Sequence, residues 1–188
     1  MSEKRIWMII PTALLPYLGL FTLATIFFST KCSFFEYIMV SIFRNNALNL
    51  IAVLLICCII ATLINIICFV ASIRKGWDAL SLAKSAMIIK LIHVPAYVLI
   101  FVLGILLTLT IFTIPFSVGL FLLDCLTLLL SGLLTTASII NTVRQGVFKA
   151  KDIFWIIILQ LVFCADVVAS IVFYFKLKGK CKIQKENV

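Results

Sequence analysis

Charge is scarce in this sequence. Only 12% of its 188 residues are Asp, Glu, Lys or Arg, against 64% hydrophobic, whereas a soluble globular domain carries about 25% charged residues. No segment between the apolar runs exceeds about 20 residues, which is too short to sustain a water-soluble core of its own. Chemistry is therefore confined to the bilayer or its edge. There is a single histidine, His93, which excludes a multi-histidine zinc site. The seven cysteines form no C-x-x-C pair and fall mostly inside apolar runs, so they read as small buried residues rather than as a zinc ribbon, a redox pair or iron–sulfur ligands. Also missing are G-x-x-x-x-G-K-[ST], G-x-G-x-x-G, H-E-x-x-H, G-x-S-x-G and an EF-hand loop, patterns that organise phosphates, metals and nucleophiles. The expectation is a protein with no cofactor and no enzymatic activity.

What is abundant is long apolar sequence. Five stretches, Ile6 to Phe28, Ala47 to Ile73, Ala86 to Thr113, Phe116 to Ile140 and Ile153 to Phe175, each reach the roughly 20 residues needed to cross a hydrocarbon core about 30 Å thick. Runs of this length exclude a β-barrel, whose strands are short and alternating. They predict an all-α, polytopic transmembrane helical bundle of five spans, one membrane domain over 1–188, with a basic tail at 176–188. The lipid bilayer is its first partner. Lys4 and Arg5 precede a run that is long and is followed by Phe27-Phe28-Ser29-Thr30-Lys31-Cys32, with no A-x-A-like site, so it reads as an uncleaved anchor.

The excess of 16 Lys and Arg over 7 Asp and Glu is the usual signature of membrane orientation and of contact with anionic headgroups, not of nucleic acid. Basic residues cluster in the N-terminal tail, in loop two (Arg74, Lys75, Lys84, Lys90) and in loop four (Arg144, Lys149, Lys151), with only Lys31 and Arg44 in loop one. This places the N-terminus and both basic loops in the cytoplasm. Lys176, Lys178, Lys180, Lys182 and Lys185 conflict with that pattern, because an odd number of spans would put them outside. Either the fifth segment does not cross, or the tail resets the local topology.

Local signals mark the boundaries. Gly76 and Gly146 each follow a basic helix end, where glycine supplies a left-handed cap. Pro115 is the only break in a long apolar stretch and predicts a tight hairpin between spans three and four. Ser33-Phe34-Phe35-Glu36 reads as a capping box opening a short interfacial helix in loop one. Residues 71–77 and 142–148 echo one another, as either a duplicated helical pair or two generic span endings.

Polar and small residues recur at steps of three and four in spans two to five, and predict a compact bundle with these stripes inward. Asp124 and Asp166 fall near the midplane, where a charge costs at least about 2.5 to 3.5 kcal/mol. If their faces meet, one is protonated or a cation is shared. They serve either as a proton or cation relay or as protonated glue between helices. Nearer the cytoplasm stand Asn65, His93 and Gln160: His93 either joins the relay by gating protons or is hydrogen-bonded to Asn or Gln, and Asn65 and Gln160 are a polar support. Pro95 frees the carbonyl of Leu91. Lys90 is expected to snorkel to the headgroups, and Cys32 and Cys181, both outside in a five-span topology, are a candidate disulfide.

Three stretches together, Trp77-Asp78-Ala79-Leu80-Ser81-Leu82-Ala83-Lys84, Lys90-Leu91-Ile92-His93-Val94-Pro95-Ala96-Tyr97 and Phe163-Cys164-Ala165-Asp166-Val167-Val168, resemble a family of small polytopic membrane proteins of Gram-positive gut bacteria that has no assigned activity. The likeness covers roughly residues 45–176 and implies a bacterial plasma membrane. Two functions fit. The first is a non-catalytic integral membrane protein acting through helix contacts, as an accessory, sensor or immunity-type component with a membrane protein partner or as a homo-oligomer. The second is a small proton- or cation-coupled transporter using Asp124, Asp166 and His93.

Overall fold

A computed structural model describes residues 10–160, 162 and 164–186. Lys4, Arg5, residues 6–9 of the first expected span and Phe163 lie outside that set. The described residues form seven α-helices and no strand: α1 (Ile10–Phe28), α2 (Ser33–Tyr37), α3 (Ala47–Arg74), α4 (Ala79–Thr108), α5 (Ile114–Arg144), α6 (Ala150–Leu159) and α7 (Ala165–Glu186). Of these, α1, α3, α4 and α5 are long and apolar enough to cross a membrane.

Side-chain contacts set the directions of the four. Ala13 packs with Ala86 and Ile89, and Leu23 with Ile100, so α1 runs parallel to α4. Leu15 packs with Ala61, and Asn65 Nδ2 donates to Thr12 Oγ1, which makes α3 antiparallel to α1. Ser138 Oγ donates to the Ala79 carbonyl at 2.7 Å and Ser117 Oγ to that of Gly104 at 3.1 Å, fixing α4 and α5 as an antiparallel hairpin. The result is an up-down-up-down bundle. One end collects the start of α1 and the 74–79 and 144–150 connections, with Arg74, Lys75, Arg144, Lys149 and Lys151; we call it the basic end. The other, the hairpin end, carries loop one and the 109–113 turn, with Pro115 in the first turn of α5 just after it.

Both connections at the basic end are Schellman caps. Gly76 has φ +54° and Gly146 φ +70°, while Trp77 N–H bonds the Ser72 carbonyl at 3.1 Å and Val147 N–H that of Thr142 at 3.2 Å. The 71–77 and 142–148 echo is thus the same capping chemistry used twice. Asn141 Nδ2 ties the two together by donating to the carbonyls of Ser72 and Trp77 at 3.1 and 2.9 Å. In loop one the short helix forms, but its N-cap is Cys32 with no side-chain cap, so the Ser33 capping box does not. A π turn over Ile38–Ile42 follows it, and Phe35 packs on Phe21 and Phe28 of α1.

The predicted fifth span is divided between two helices, neither of which is long and apolar enough to cross by itself. α6 is 10 residues long, about 15 Å at helical rise and half the hydrocarbon thickness. The chain then leaves the helix at Gln160 and reverses, with Cys164 at φ +64°. Phe173 and Leu177 of α7 pack on Ala79 and Ala83 of α4 and on Ile139 and Ile153, and Lys180 Nζ lies 4.1 Å from the centre of the Phe148 ring. α7 therefore runs antiparallel to α4 and back to the basic end. The lysines that conflicted with the charge pattern lie on the same side as the other basic loops. Cys181 is at that end and Cys32 at the opposite one, so they do not pair; all seven cysteines are free.

Candidate functional site

The reversal of the α6–α7 segment brings a set of polar side chains into the middle of the bundle. Lys90 Nζ sits 3.1 Å from Asp166 Oδ2, and both side chains are fully buried. The ammonium also donates to Gln160 Oε1 and lies 3.4 Å from the Asp166 carbonyl. Ser170 Oγ donates to that same carbonyl at 2.8 Å, and Gln160 Nε2 to Ser170 Oγ at 3.3 Å. Non-helical backbone at membrane depth survives only where it is buried in protein or lines a wet cavity. Here Gln160 N–H bonds the carbonyls of Ile156 and Ile157 at 3.2 Å, and Asp166 N–H that of Val162 at 3.1 Å. Gly132 of α5 faces the turn, where a Cβ would make an ordinary 3.8 Å contact with Gln160 Cβ.

Lys90 thus does not snorkel. α4 begins at Ala79, seven residues before the expected start of the span, because Asp78 caps it by accepting the Ser81 N–H at 2.8 Å. Lys90 lies about 18 Å along the helix from that cap, and Asp166 is the nearer partner.

One turn deeper is His93, also fully buried. Its Nε2 lies 3.1 Å from the Thr12 carbonyl, an atom that can only accept, so Nε2 carries the proton and donates. Thr12 needs this bond: Pro16 sits inside α1 and has no N–H to offer the carbonyl four residues back. His93 Nδ1 is then the acceptor for the Tyr97 hydroxyl at 3.3 Å. Asn65 Nδ2 donates to Thr12 Oγ1 and to the Ala61 carbonyl, the latter at 2.8 Å. The expected amide support is thereby divided: Gln160 serves Lys90, and Asn65 serves Thr12 rather than the imidazole.

Asp124 and Asp166 are both buried, at 5% and 0% exposure, but they form no carboxylate dyad. The pairing of Ser138 with Ala79 and of Ser117 with Gly104 puts Asp124 level with Tyr97, about 10 Å along α4 from Lys90. Asp124 Oδ1 is buried without a hydrogen-bond partner, and so is Asp166 Oδ1. Tyr97 lies within electrostatic reach of both carboxylates and close to Thr127 and Ser131 of α5. The result is a buried series from the Lys90–Asp166 pair through His93 and Tyr97 to the level of Asp124. No cluster of three metal-ligating side chains occurs among the described residues.

Sequence reasoning singled out Asp124, Asp166, His93, Asn65 and Gln160, all of them buried, but did not anticipate the contacts of Lys90, Thr12 and Ser170. The readable signals were Asp78 three residues before Ser81, which extends α4, and Pro16 four residues after Thr12, which leaves a carbonyl seeking a donor. No family model, curated protein or solved structure matches this chain.

Proposed function

We propose that this chain is a non-catalytic, multi-pass protein of a bacterial plasma membrane, with its basic end cytoplasmic, that couples its action to proton movement through the buried polar series. The observation that carries the reading is the Lys90–Asp166 pair held at a helix reversal, because ionisable groups at this depth are costly and mark ion pathways more often than packing. Broken helices at membrane depth are the usual setting of transporter ion sites.

In this reading Asp124 is the proton acceptor and Lys90–Asp166 the fixed charge pair. Tyr97 and His93 stand between them, the Tyr97 hydroxyl donating to His93 Nδ1 at 3.3 Å and His93 Nε2–H to the Thr12 carbonyl at 3.1 Å. The test is proton flux in liposomes reporting on an internal pH dye. Wild-type protein should dissipate an imposed pH gradient, and Asp124→Asn, a nearly isosteric change, should lower the rate at least tenfold while the protein elutes and melts as the wild type does. Absence of flux in the wild type under either polarity would overturn the reading.

A second reading, an accessory, sensor or immunity-type protein working through helix contacts, is favoured by α3. Its outer face exposes Ile56, Ile59, Ile60, Leu63 and Ile67 in one row, a surface suited to another helix as well as to lipid. Capture from native membranes in mild detergent separates the two: a stoichiometric partner lost on Ile60→Trp supports contact, and recovery of this chain alone supports proton coupling.

A further inference from the structure

Away from the polar series, α1, α3 and α5 separate toward the hairpin end and leave a cleft of about 580 Å³. Its lining falls within residues 19–26 of α1, 51–58 of α3 and 115–126 of α5. It is closed at the inner end by the packed cluster of Leu15, Ala61, Leu123 and Leu130. We infer that this cleft holds one acyl chain of a bilayer phospholipid from the leaflet at the hairpin end.

Three observations lead there. The first is polarity. The lining is aliphatic, aromatic or glycine apart from Thr22 and Cys58, and the Thr22 hydroxyl is already spent on the Leu18 carbonyl at 2.9 Å. A polar substrate would find no free partner, and an apolar cavity does not hold water. The second is length. From Pro115 to Leu126 α5 rises about 16 Å, which matches one leaflet of a hydrocarbon core about 30 Å thick, and the closed inner end falls where that leaflet's chains end. The third is access. Leu55 and Leu122 of the lining are more than half exposed, so the cleft is open along its flank, where the acyl chains of a surrounding bilayer lie.

Gly119 offers a test, because it lines the cleft and a Cβ there would meet nothing within 4 Å. The full-length protein, purified from membranes in mild detergent, is measured by native mass spectrometry. We expect wild type to keep one phospholipid per chain at detergent levels that strip the rest, and Gly119→Leu to reduce that retention at least tenfold with an unchanged melting temperature. Leu122→Phe, on the exposed rim, serves if Gly119→Leu misfolds, and should act in the same direction. Wild type without retained lipid, or equal retention in wild type and variants, overturns the proposal. So does an adduct with the mass of a free fatty acid, or a second copy of the chain that the variant releases.

Discussion

The Lys90–Asp166 pair has each charge stabilised mainly by the other, since neither reaches water. Removing one partner of such a pair strands the other, at a cost of about 3 to 5 kcal/mol, whereas replacing both with apolar groups of similar size is often neutral. Lys90→Met and Asp166→Leu should therefore each lower the melting temperature sharply in detergent, and the double variant should recover most of the loss. If the double variant falls by the sum of the two, the groups are not a pair. The Thr12–His93 bond permits a comparable test. His93→Phe leaves the Thr12 carbonyl unsatisfied and should cost about 1 to 3 kcal/mol; in a Pro16→Ala background the restored helical N–H should cut that cost by half or more, as read from a double-mutant thermal cycle. Asp124, Asp166 and His93 were legible because charge and imidazole in an apolar run are conspicuous. Lys90 was misread because its depth depends on where α4 starts, and the Asp78 cap shifts that start by two turns.

At the scale of elements, the α6–α7 reversal is the feature that composition could not announce. Residues 160–164, Gln-Leu-Val-Phe-Cys, contain neither proline nor glycine, and an apolar segment from 153 to 175 has the length of a span. What turns the chain is a tertiary demand: Asp166 and Gln160 meet Lys90 only if α7 doubles back, and Phe173 and Leu177 then fill the space against α4. Cys164 pays for the turn by adopting a left-handed conformation that costs an L-residue about 1 to 2 kcal/mol. Cys164→Gly should raise the melting temperature, and Cys164→Val should lower it; an unchanged value for both would mean that the turn does not sit there. The Schellman caps at Gly76 and Gly146 are the opposite case, since glycine after a basic helix end is a local signal and both formed as read.

For the whole molecule, the reversal leaves four helices long and apolar enough to cross a membrane and a helical hairpin that returns to the basic end of the bundle. In a background without native cysteines, Lys149→Cys and Lys178→Cys should react with an impermeant thiol reagent from the same side of sealed membranes, and Asn45→Cys only from the other. Labelling of Lys178→Cys together with Asn45→Cys would restore the five-span topology. That the chain is an all-helical membrane bundle was decided by the sequence alone, because burying some 20 apolar residues in a row is a local property set by bilayer thickness. The positions of α3, of α5 and of the Pro115 hairpin followed from the same property. The pairing of Lys90 with Asp166, the bond from His93 to Thr12 and the side on which the tail emerges were decided only by the tertiary structure. Each depends on which polar groups, widely separated along the chain, must satisfy one another where water is absent.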